Sequence, residues 1–96
     1  MYVESVEIYS DETNAAVLRH PGRRFPGVLI QGDTLYTLSS ALEGICLKAR
    51  AQVDPEIYQE LDDLRESMRA YLVHYKAVLD KHGLPLPFNE IPPGLR

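Results

Sequence analysis

The chain has 96 residues, with ten Lys and Arg against 14 Asp and Glu, three His, one Cys and no Trp. A chain this short buries only about 60–65% of the surface it exposes when unfolded, so one modest core is expected and no deep catalytic cleft. One cysteine excludes an internal disulfide, and no Cys/His spacing matches a zinc site. The net charge of −4 argues against a broadly basic nucleic-acid coat. No apolar run approaches the ~18 residues of a membrane span. Met1-Tyr2-Val3-Glu4 lacks the basic start and apolar stretch of a signal peptide, so a cytoplasmic location is expected.

Residues 3–31 are rich in Val, Ile and Tyr and broken by turn residues, the pattern of a three-stranded antiparallel meander. The first strand is expected over Val3–Tyr9, where Val6 and Ile8 share a face against Glu7. The polar run Ser10–Asn14 connects it to Ala15–Arg19. His20-Pro21-Gly22 then predicts a type II turn, since Pro presets φ and Gly accepts a positive φ. Phe25–Gln31 is the third strand, with Pro26 at its start.

A helix of about 19 residues opens at Gly32-Asp33-Thr34, where Asp33 or Thr34 can accept a free N–H of the first turn. Leu35, Leu38, Leu42, Ile45 and Ala49 recur at helical spacing on one face. Gly44 costs about 1 kcal/mol relative to Ala in mid-helix, and close packing or a bend would explain it.

The second helix has the clearest boundaries. Asp54-Pro55-Glu56 supplies a cap, Pro at the first helical position and an acid in the first turn. Lys81-His82-Gly83 supplies a basic last turn and a terminating Gly. Ile57, Leu61, Leu64, Met68, Tyr71, Tyr75 and Val78 keep a strict 4-3 rhythm, widened by Leu72 and Leu79. The helix is ~40 Å long against ~28 Å for the first, so part of its seam must bury itself elsewhere. A homodimer seam of Met68, Tyr71, Leu72, Tyr75 and Val78 is expected. The tail 84–96 holds four prolines and is expected to run extended over the surface.

Two charge clusters stand out. Arg19, His20, Arg23 and Arg24 crowd the second hairpin turn, where a planar donor fork could grip phosphate or carboxylate. Six acids (Asp54, Glu56, Glu60, Asp62, Asp63, Glu66) crowd residues 54–66 with Arg65 as the sole base. Glu56, Glu60 and Asp63 share a helix face that could serve as a pad for a basic partner. No His joins that face, which argues against a metal stripe. His74 reads as a structural group, and His82 fits a cation at a helix C-terminus. Cys46 reads as a small core hydrophobe. Ser39-Ser40 lacks the glycine elbow of a hydrolase, and there is no phosphate loop or dinucleotide fingerprint. No catalytic residue, metal or cofactor is expected.

Phe25-Pro26-Gly27-Val28-Leu29-Ile30-Gln31-Gly32-Asp33-Thr34-Leu35 resembles the central motif of the HicB-type antitoxin N-terminal domain, a likeness extending over residues 25–48. In that family a Pro-Gly precedes the third strand, and Gln-Gly-Asp-Thr-Leu leads into the first helix. The resemblance implies a compact α+β domain, typically dimeric or higher, that neutralises a small basic RNA-cleaving toxin. The DNA-binding module that many such antitoxins carry is replaced here by the acidic helix 55–82, so no DNA binding is carried over. The chain is also similar to small uncharacterised bacterial proteins sharing the Asn-Ala-Ala-Val-Leu-Arg and Pro-Gly-Arg stretches at 14–23.

These readings converge on one α+β domain over residues 1–83, a three-stranded meander packed on the first helix and completed by the long one, with the tail at 84–96. The expected role is non-catalytic capture of a small basic protein, of the antitoxin or immunity type, by a homodimer. Its surface is Asp33, Glu56, Glu60, Asp63 and Glu66. The alternative is an RNA- or anion-binding module using Arg19, His20, Arg23 and Arg24. No membrane partner is expected.

Overall fold

A computed structural model describes residues 1–90. Three strands, β1 (Glu7–Ser10), β2 (Ala16–Arg19) and β3 (Gly27–Leu29), precede two helices, α1 (Gly32–Ala49) and α2 (Pro55–Lys81). This is an α+β chain with the element order that the sequence predicts. It divides into two compact units, Met1–Gln31 and a second beginning at Gly32.

In the first unit β2 is the central strand, antiparallel to both neighbours. Glu7 pairs with Arg19 and Ile8 with Leu18, after which a register shift sets Ser10 against Val17. β1 begins at Glu7 and not at Val3. The register explains this, because residues 3–6 run past the end of β2, where the chain turns and Pro21 has no N–H to offer. The turn itself departs from the type II expectation. The Arg23 N–H donates to the His20 carbonyl at 2.9 Å, closing a four-residue turn. Gly22, however, does not take a positive φ; among the described glycines only Gly83 does. Its N–H donates to His20 Nδ1 at 3.0 Å, and that local bond holds the peptide in the orientation a type I turn uses. No residue of this unit is buried.

The second unit is an antiparallel helical hairpin. Its core is Leu35 and Tyr36 of α1 with Leu72 of α2, and Met68, Tyr75 and Phe88 pack against them. Farther along, Cys46 is 3% exposed and its thiol donates to the Leu61 carbonyl at 3.7 Å. At the other end the Tyr75 ring lies directly on Gly32, in the space a β-carbon would occupy. Close approach of two helices at a glycine is what lets the first turn of α1 meet α2. Gly44 has no such role: a β-carbon there would meet nothing within 4 Å, so close packing does not account for it.

The ends of α2 match the sequence. Asp54 caps it by accepting from the Glu56 N–H at 2.9 Å, with Pro55 in the first turn. At the far end Gly83 takes φ 67°, the Gly83 N–H donates to Asp80 O at 3.1 Å, and the Leu84 N–H donates to Leu79 O at 2.9 Å. That pair of bonds is a Schellman motif. α1 starts two residues before the first helical position that an Asp33 cap allows. Asp33 therefore lies inside the first turn, where its carboxylate accepts from the Thr34 N–H at 2.9 Å and meets the positive end of the helix.

After α2 the chain folds back on the hairpin. Phe88 stacks on Tyr36 with ring centroids 4.3 Å apart and planes 1° from parallel, and Glu90 pairs with Lys76 at 2.8 Å. Residues 84–90 of the proline-rich tail are thus docked through one aromatic anchor; residues 91–96 lie outside the described residues.

Candidate functional site

The acidic residues of α2 fall into two groups because a helix turns 100° per residue. Asp62 and Glu66 point to the side where Arg65 lies. The Arg65 guanidinium meets Asp62 at 2.6 Å, Glu66 at 2.9 Å and Glu43 of α1 at 3.6 Å, and Arg69 reaches Glu66 at 3.8 Å. Hydrogen bonding to Asp62 raises the Arg65 pKa despite the opposing effect of desolvation. Two of the six acids of residues 54–66 are therefore engaged by Arg65, which also ties α2 to α1 through Glu43. Glu56, Glu60 and Asp63 occupy the other flank, exposed and in no ion pair among the described residues. Asp63 accepts only from the Gln59 amide, at 2.9 Å.

Of the five acids expected to form one surface, the structure brings together Glu56, Glu60 and Asp63. Glu66 is already committed to Arg65 and Arg69. Asp33 is at the opposite end of the hairpin, beside Gly32, whose neighbour on α2 is Tyr75. Fifteen residues of helix separate Tyr75 from Glu60, about 22 Å along the axis.

The basic turn is also less free than its composition suggests. Arg19 forms an ion pair with Glu7 on the facing strand and donates to the Arg23 carbonyl at 3.1 Å. Tyr9 donates its hydroxyl to the same Glu7 carboxylate at 3.1 Å. Hydrogen bonds from Arg19 and then Tyr9 hold the Glu7 carboxyl below its ordinary pKa, while bonding to Glu7 raises that of Arg19. His20 uses its Nδ1 to accept from Gly22. Arg23 and Arg24 remain exposed, with the Arg24 guanidinium 5.3 Å from the centre of the Phe25 ring. A shallow depression of about 160 Å³ runs beside them, lined by Leu18, His20, Arg23, Phe25 and Val28.

The expected dimer-seam residues divide in the same way. Leu72, Met68 and Tyr75 are part of the hairpin's own core. Tyr71 and Val78 are exposed. Among the described residues no group of three or more His, Cys, Asp and Glu could hold a metal ion. Among them, too, no helix is long and apolar enough to cross a membrane. Sequence reasoning missed the Gly32–Tyr75 contact and the Phe88 anchor. The only signal for the second was a lone aromatic in a proline-rich tail.

Comparison with known proteins adds a family. The family model DUF6959, described as a family of unknown function, matches residues 1–88, and the chain belongs to that family. No curated protein and no solved structure matches it.

Proposed function

Because family membership brings no activity with it, we propose from the chain's own surfaces that this protein is a non-catalytic binding module. It captures a small basic protein, in the manner of an antitoxin or immunity protein, on the flank of α2 formed by Glu56, Glu60 and Asp63. One observation carries the reading: these three acids stand together in solvent, outside any ion pair among the described residues, while their neighbours Asp62 and Glu66 are paired with Arg65 and Arg69. A patch of one sign steers and orients a partner of the other sign. The motif at 25–35 that resembles the HicB-type antitoxin domain supports the same role.

The test is retention of a basic protein by the tagged full-length chain from its own cells after nuclease treatment. Reversal of all three charges (Glu56→Lys, Glu60→Lys, Asp63→Lys) is expected to abolish retention without altering the circular dichroism spectrum. Retention unchanged by the triple variant would overturn the reading. A second reading rests on Arg23 and Arg24 beside the Phe25 depression, which suit a phosphate group of RNA or a small anion. It expects salt-dependent binding of structured RNA that disappears in the Arg23→Ala, Arg24→Ala variant. A flat titration at low salt would remove it.

A further inference from the structure

The two faces of the helical hairpin differ. One is closed by the Glu43–Arg65 ion pair and by Phe88 on Tyr36. On the other, Ile57, Leu64, Tyr71 and Val78 of α2 are exposed, Tyr71 to 71% and Leu64 to 54%. Leu38 and Ile45 of α1 are exposed as well, at 44% and 52%. Helix geometry puts all six on one side. Glu43 and Arg65 meet, so they mark the same side of both helices; Leu38 and Ile45 are turned away from Glu43 about α1, as the α2 residues are turned away from Arg65 about α2.

We propose that this face is covered by a second copy of the chain, its α2 lying antiparallel across the first about a two-fold axis between Ser67 and Met68. The inference goes beyond the binding role proposed above and stands without it. Ile57, Leu64, Tyr71 and Val78 are spaced by seven throughout, the repeat with which one helix presents a continuous seam to another. A two-fold interface must be complementary to itself, and this one is. Reversing α2 about the point between Ser67 and Met68 exchanges Ile57 with Val78 and Leu64 with Tyr71, so apolar meets apolar along the whole seam. The same reversal sets Asp54 opposite Lys81 and Glu60 one residue from the position opposite His74. A parallel pairing would set Glu56, Glu60 and Asp63 against their own copies, so charge selects the antiparallel arrangement. Beside the axis the small Ser67 side chain lets the helices approach. Two helices of ~40 Å and ~27 Å, each about 10 Å wide, offer on the order of 700 Å² per copy, close to the ~800 Å² per partner of a stable interface.

Sedimentation equilibrium of the full chain, with no partner present, is expected to give the mass of two chains. Leu64→Glu and Tyr71→Glu, both at exposed positions, are expected to give one chain with an unchanged helical spectrum. Cysteine cross-linking fixes the orientation, since Cys46 is buried. Ser67→Cys is expected to link to its own copy. Glu60→Cys is expected to link only when mixed with His74→Cys. A wild-type monomer at 100-fold dilution from the millimolar range would mean that the face is covered within one chain or by another partner. That result overturns the proposal, as would a dimer indifferent to both glutamates or a Glu60→Cys variant that links to itself. Glu56 and Glu60 border this seam, so the two readings are separated by Leu64→Glu and Tyr71→Glu, which keep all three capture acids: loss of the dimer with capture retained leaves the binding role standing, and a dimer that captures nothing removes the binding role alone.

Discussion

The clearest charge arrangement at a single residue is Glu7. It accepts from Arg19 across the β1–β2 register and from the Tyr9 hydroxyl two residues on. Both donors favour the ionised carboxylate, which is why its pKa is lowered. A carboxyl depressed in the folded state contributes stability above its unfolded pKa, and that contribution is lost as pH falls through the folded value. The ion pair is therefore expected to persist at neutral pH and to fail only on the acid side of the ordinary carboxylate range. Titration of the Glu7 carboxyl carbon by NMR is expected to give a midpoint below the ordinary carboxylate range, and Arg19→Gln is expected to raise it. A Glu7 midpoint unmoved by Arg19→Gln would remove the pairing.

Between elements, one glycine governs how the helices meet. A side chain at Gly32 would collide with the Tyr75 ring, and Tyr75 is one of the residues packed on the Leu35–Tyr36–Leu72 core. Gly32→Ala is expected to cost about 1–3 kcal/mol by overpacking. In a Tyr75→Ala background the same change is expected to be nearly neutral, because the obstacle is gone, and a double-mutant cycle in urea reads the coupling. Equal costs in both backgrounds would place the strain elsewhere. The ends of α2 were legible because Asp54, Pro55 and Gly83 act locally: a side-chain acceptor, a preset φ and a tolerated positive φ need no distant partner. The Pro21-Gly22 turn was misread for a reason just as local. The His20 ring competes for the Gly22 N–H, and a propensity rule for Pro-Gly takes no account of the residue before it.

For the molecule as a whole, burial is concentrated in the helical unit. Residues 1–31 contain no buried residue, and a three-stranded sheet that buries no side chain has little to offset its loss of conformational entropy. A peptide of residues 1–31 is accordingly expected to show no cooperative thermal transition by circular dichroism; a sharp one would mean that the sheet is stable by itself. The sequence alone determined the order of elements, both ends of α2 and the helical period of its apolar residues, because each depends on backbone chemistry within a few positions. It could not determine which apolar residues turn inward. The 4-3 rhythm of α2 contains two interleaved sets, and only packing against α1 decided that Met68 and Tyr75 join the core while Ile57, Leu64, Tyr71 and Val78 face outward. Tertiary structure likewise decided the acids. Composition counts charges, whereas the reach of Arg65 to Asp62, Glu66 and Glu43 spends some of them and leaves Glu56, Glu60 and Asp63 available.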